Sequence, residues 1–183
     1  DILVNNIHGV DIDAQAVEVT KLSLLLKVLE GESGQLSLGL ERALPDLSRN
    51  IQCGNSLIGE DYFAGRLVVD EEERRRVNPF EWQHAFPQVF ARGGFDAVIG
   101  NPPYRRELDY GELLSEIANT EFGRKYKTPR MDLWYYFVHR GLELLRLNGR
   151  LSFIVNSYWT SGLGAEKLIN SLYRDTQIEE VFS

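Results

Sequence analysis

With 183 residues, 43% of them hydrophobic, the chain can bury one sizeable core and is most simply a single domain. No apolar run is long enough to span a bilayer and no signal-peptide pattern opens the chain, so a cytoplasmic protein is expected. A formal net charge of −7 counts against a dedicated nucleic-acid-binding module, and the single cysteine, Cys53, excludes an internal disulfide.

In chain order, the first apolar strand runs through Ile7-His8-Gly9-Val10 and ends in Asp11-Ile12-Asp13. Asp13 reads as the N-cap of a helix beginning near Ala14. Gly31–Asn50 is a connection longer than a simple strand-to-helix link, and it leads to a second strand running from Ile51 into the loop Gly54-Asn55-Ser56-Leu57-Ile58-Gly59. Gly-Asn-Ser alone is ordinary turn composition, and Cys53 beside it is expected to be a small buried core residue. A second long connection, Asp61–Gly94, holds Asp70-Glu71-Glu72-Glu73-Arg74-Arg75-Arg76. Its acids and bases stand four apart and predict a self-neutralising, solvated helix. Phe80, Trp82, Phe86, Val89 and Phe90 follow at near-helical spacing, which predicts one short amphipathic helix docked on the body.

Phe95–Gly100 is the third apolar run, and Asn101-Pro102-Pro103-Tyr104 closes it. Arg105 and Arg106 follow directly. Further on comes the acid-free stretch Arg124-Lys125-Tyr126-Lys127-Thr128-Pro129-Arg130, which is either a phosphate-facing segment or a solvated loop. Trp134, Val138, Leu142 and Leu145 recur at helical spacing, and Leu147-Asn148-Gly149 supplies a stop in which Gly149 takes the left-handed conformation. A strand, Arg150–Val155, a loop, Asn156–Trp159, a helix near Gly164–Arg174 and a terminal strand, Ile178–Phe182, complete the order. Strand and helix patterns alternate, so the fold class is α/β with a parallel sheet.

The tetrapeptide carries the chemistry. The Asn101 amide oxygen and the Pro102 carbonyl can accept the two N–H bonds of an amino group, and the Tyr104 ring can stack on a flat base bearing it. Each proline fixes its own φ and drives the preceding residue into extended conformations; neither has an N–H to compete. An amine conjugated to a ring is a poor nucleophile. Two acceptors draw it toward tetrahedral geometry and stabilise the positive charge that develops as it attacks a methyl donor, without a strong base. The bland alternative is a rigid turn after a buried strand.

These blocks together resemble the amino-methyltransferases with an Asn/Asp/Ser-Pro-Pro-Tyr/Phe signature, which use S-adenosylmethionine. Within that group the chain is most similar to the large DNA N6-adenine methyltransferases of type IIG restriction–modification and phage-exclusion systems, over essentially its whole length. The resemblance implies a Rossmann-like methyltransferase sheet present in part. The first strand and its glycine-rich loop, which lies between the second and fourth strands in the family, is not found in the chain. It implies that Asp11 takes ribose hydroxyls, that Ile12 lies against the cofactor adenine, and that Asn55 and Ser56 meet its amino group and ring nitrogen. Phe137 matches a position near the cofactor, against the plainer reading of a core aromatic. Asn101, Pro102 and Tyr104 would hold an extruded adenine. Arg105, Arg106, Lys125 and Lys127 are the candidates for DNA phosphates, and no metal site is read from the sequence.

On this reading residues 1–183 are part of a catalytic domain, with an insertion at about 60–94 between the cofactor-adenine loop and the catalytic loop. Duplex DNA would be engaged by the intact parent protein, using the remainder of the methyltransferase and a target-recognition domain that this chain lacks. The cofactor site would be incomplete here and the isolated fragment inactive. Two rivals stand beside it: an amino-methyltransferase acting on protein glutamine or RNA, and an inactive structural or interaction fragment.

Overall fold

The computed structural model describes residues 2–31, 45–103, 111–160, 162 and 164–181. Four strands lie among nine helices in these residues: α1 Ile2–Asn6, β1 Gly9–Asp11, α2 Ala14–Gly31, β2 Ile51–Cys53, α3 Glu71–Val77, α4 Trp82–Ala85, α5 Pro87–Phe90, β3 Phe95–Gly100, α6 Gly111–Ala118, α7 Glu121–Tyr126, α8 Leu133–Leu144, β4 Leu145–Phe153 and α9 Glu166–Asp175. The fold is α/β and every strand pairing is parallel, β1 with β2 and β3 with β4. Among the described residues the two pairs share no ladder. The divided sheet agrees with a partial Rossmann-like methyltransferase fold. No described helix is long and apolar enough to cross a membrane.

Local chemistry explains the β1–β2 half. Gly9 N–H donates to the Asn50 carbonyl and Gly54 N–H to the Asp11 carbonyl, framing the short ladder at both ends. Asn50, itself buried, uses its side-chain amide to hold the carbonyls of Val4 and Ile7, so α1 is tied to the start of β2. Asp13 accepts from Gln15 N–H and caps α2 as its sequence predicts.

The main core gathers around α8. Leu133, Trp134, Tyr136, Val138 and His139 are buried, so this helix is covered nearly all round rather than on one face. Against it lie Leu57, Ile58, Ile117 and Leu168, with Leu151, Phe153 and Val155 of the β4 segment. Gly141 lets α8 approach β4 closely, since a Cβ there would meet the Leu151 side chain at 2.7 Å.

Several expectations are corrected. Phe80–Phe90 forms two single turns, not one helix. Pro87 forces Phe86 out of the helical region, at φ −128 and ψ 56. The α3 charges do not neutralise one another. Arg66 pairs with Glu73, Arg74 with Glu60, and Arg76 with Glu112 and the buried Glu116, so the helix is bound to other elements. Helix α8 stops at Leu144, and Asn148, not Gly149, takes the left-handed conformation at φ 63. Gly149 is needed for space, because a Cβ would sit 2.9 Å from the Arg146 carbonyl oxygen. Residues 178–181 form no strand. Acidic residues separate Ile178 from Val181, and an ion pair between Glu179 and Arg150, not a ladder, joins this segment to β4. Cys53 is exposed, at the end of β2.

Candidate active site

Strand β3 aims the tetrapeptide. Its ladder with β4 continues past the last paired strand residue, with Ile154 N–H donating to the Gly100 carbonyl at 3.1 Å. Gly100 itself lies under Phe153, whose ring would be 2.9 Å from a Cβ at that position. Asn101 then emerges exposed, Pro102 is buried and Pro103 is exposed. An exposed residue followed by a buried, φ-locked neighbour is restrained in its backbone conformation. Tyr104, Arg105 and Arg106 lie outside the described residues.

The second half of the site stands at the C-terminal ends of β1 and β2. Asp11 pairs in register with Cys53, which brings Asp11 and the Asn55 turn onto neighbouring strand ends. Asp11 Oδ1 accepts from Asp13 N–H at 2.8 Å, while Oδ2 takes no bond from the described residues. Beside it Ile12 is 55% exposed, an apolar surface next to a carboxylate oxygen with spare lone pairs. Asn55 and Ser56 are half-buried, and Asn55 Oδ1 accepts from Leu57 N–H at 3.1 Å, leaving one lone pair for another donor. Two acceptor oxygens, on Asp11 and Asn55, flank the apolar Ile12, and such a set fits a nucleoside, whose diol and exocyclic amine donate and whose base face is apolar. Phe137 is half-buried and packs against the main core.

The basic stretch is less open than its sequence suggests. Arg124–Tyr126 is the last turn of α7, not loop. Lys125 is ion-paired with Glu143 at 2.7 Å, and that bond holds its ammonium above the usual lysine range. Lys167 anchors the segment by donating to the carbonyls of Lys125 and Lys127. Tyr126 stacks on the buried His139 at 3.9 Å between ring centroids. Burial pulls the His139 imidazole down from 6.5 to about 4, against the opposing pull of Glu143. Lys127 is exposed.

Some residues that shape the site were not legible as doing so in the sequence. Trp82 donates its indole N–H to the Ser56 carbonyl, Glu81 accepts from Glu60 N–H, and Asp61 accepts from Glu121 N–H at the start of α7. Trp82, Phe86, Phe95 and His8 form an aromatic cluster that joins the approach to β1 to the start of β3. The aromatic spacing across Phe80–Phe90 signalled docking, but not the partner.

Comparison with known proteins bears on this arrangement. The family model of the Eco57I restriction-modification methylase matches residues 5–183. The type II restriction enzyme and methyltransferase RM.Eco57I of Escherichia coli is 30% identical over 100% of this chain, which spans 17% of that protein. A putative type II restriction enzyme and methyltransferase of Methanocaldococcus jannaschii, RM.MjaORFECS2P, is 22% identical over 94% of the chain and 24% of its own length. A release factor glutamine methyltransferase of Bacteroides thetaiotaomicron is 28% identical over 82% of the chain and 54% of its own length.

Proposed function

This chain belongs to the Eco57I restriction-modification methylase family, and on that premise we propose that the enzyme containing it methylates the exocyclic amine of adenine in DNA. The observation that carries the reading is the placement of Asn101, an exposed residue at the end of β3 beside the buried, φ-locked Pro102. Bound S-adenosylmethionine would supply an electrophilic methyl group. Asp11, Ile12, Asn55 and Ser56 would hold its nucleoside at the ends of β1 and β2, and Phe137 would pack close by.

Asn101 Oδ1 and the Pro102 carbonyl accept the two amine protons of the target adenine and stabilise charge as it develops on nitrogen. Tyr104 stacks on the base. In a duplex that amine is paired and out of reach, so the adenine is extruded before reaction, and Lys127, with Arg105 and Arg106, meets the backbone around it. Lys125 contributes less, because Glu143 already neutralises it. The remainder of the methyltransferase and a target-recognition domain would supply the other DNA contacts in a cytoplasmic enzyme.

The match to a glutamine methyltransferase supports a second reading, in which the same acceptors hold a primary amide. Methyl transfer assayed on duplex DNA, RNA and release-factor peptides separates them, with duplex DNA expected as the substrate. Asn101→Ala is expected to lower kcat about 100- to 1000-fold while leaving the melting temperature unchanged. Full activity in that variant would remove the enzymatic role of this chain.

A further inference from the structure

Four successive carbonyls in the turn that carries Asn55 and Ser56 each have a donor. Ile58 N–H takes Asn55, the Trp82 indole takes Ser56, Arg140 Nη2 takes Leu57 at 3.2 Å, and Phe80 N–H takes Ile58. Three of those donors come from the turn itself or from the insertion that follows it. Arg140 comes from α8, 83 residues further on.

The guanidinium is held at both terminal nitrogens and over one face, while Nε is buried with no hydrogen-bond partner among the described residues. Arg140 Nη1 donates to Glu143, and its carbon lies 3.8 Å from the Phe122 ring centroid, a stacked cation on an aromatic face. Burial draws the guanidinium below the usual arginine range, and Glu143, Glu81 and Asp61 oppose that pull. The next residue, Gly141, would meet the Phe153 ring at 3.2 Å if it carried a Cβ, and the same ring covers Gly100. A contiguous path therefore runs from the Leu57 carbonyl through Arg140, Gly141 and Phe153 to Gly100, the residue before Asn101.

We propose that Arg140 is a positioning residue that sets the spacing between the nucleoside-holding turn and the amine acceptor Asn101. This rests on the methyltransferase reading above and adds to it the residue that joins its two halves. Methyl transfer needs donor and acceptor within about 3–3.5 Å, and a displacement near 1 Å costs on the order of 100-fold in rate. Arg140 bonds the turn at Leu57 and none of the residues proposed to meet cofactor or base, so its loss loosens alignment more than it weakens either binding step.

The test uses the full-length enzyme that contains this chain. Arg140→Met keeps the aliphatic stem and removes the donors. It is expected to lower kcat about 10- to 100-fold while the calorimetric Kd for S-adenosylhomocysteine stays within about threefold and amide exchange at Leu57–Gly59 quickens. Arg140→Lys retains a charge and one donor for the Leu57 carbonyl, so part of kcat returns; this variant decides the matter if the Met variant does not fold. Unchanged kcat, or a loss wholly accounted for by weaker S-adenosylhomocysteine binding, overturns the proposal. An inactive Asn101→Ala enzyme beside an unimpaired Arg140→Met enzyme removes only this inference, whereas an active Asn101→Ala enzyme removes the reading beneath it.

Discussion

The two strand pairs differ in how much protein surrounds them. The β3–β4 pair lies against α8, and from there the core extends through α6, α7, α9 and the turn at Leu57–Phe63. The β1–β2 pair has the side chain of Val17 buried beside it, but α2 leaves Val19, Leu22, Leu26 and Leu29 exposed along one flank. The β3–β4 pair is nevertheless open on its outer side: Ile99 is 82% exposed, and no residue of either strand is fully buried. A residue that must hold an amine against charge development needs support behind it, and the half that carries Asn101 is tied to the main core through Leu151, Phe153 and Val155. The nucleoside half is a pair of short strands whose turn is fixed by its own Ile58 N–H, by Phe80 and Trp82 of the insertion, and by the distant Arg140.

The largest effect should come from the packed half. Trp134→Ala opens a cavity at the centre of the core and is expected to cost about 3–5 kcal/mol, read by denaturant unfolding. A loss below about 1 kcal/mol would mean that the two halves are not unequal. Acid should strike the same half next. Folded His139 titrates near 4 instead of 6.5, so the unfolded chain binds the proton more readily. Stability is therefore full above pH 6.5, falls as pH drops toward 4, and levels off below. The total is on the order of 3 kcal/mol. His139→Phe should flatten that window in a pH series of melting curves, and an undiminished slope would assign it to other groups.

Smaller effects belong to the β1–β2 pair. Asp11→Asn keeps the acceptor that Asp13 N–H uses but removes the charge. S-adenosylhomocysteine binding to the intact enzyme should weaken about 10-fold with the melting temperature unchanged. A drop in melting temperature instead would make Asp11 a structural residue. Smallest of all, Leu26→Gln on the open flank of α2 should shift the stability of this 183-residue chain by less than about 0.5 kcal/mol. A larger cost would show that the flank is covered in solution.

Much of this was legible along the chain because the signals were local. The Asp13 cap, the Asn55 turn, the β3 run ending at Asn101 and the existence of helix α8 each rest on neighbours a few residues apart, although α8 is buried nearly all round and not on one face. Local patterns also misled. Acid and base four apart in α3 predicted mutual neutralisation, yet three-dimensional neighbours took Glu73, Arg74 and Arg76. Gly149 had the composition of a helix stop, while Asn148 takes the positive φ and Gly149 is needed for space beside Arg146 and Leu145. Arg140 offered nothing to read, because an arginine with an acid three residues on is ordinary on a solvated helix.

By itself the sequence determined the α/β alternation, the order of the blocks and the chemistry of an acceptor amide locked to proline. These follow from dihedral limits and side-chain functional groups that no distant contact alters. Only the tertiary structure decided that the strands lie in two separate pairs, that Glu116 is buried on Arg76, that Cys53 is exposed and that Arg140 reaches the Leu57 carbonyl. Such contacts depend on which surfaces meet when the core closes, and partners up to 83 residues apart leave no mark in any short window.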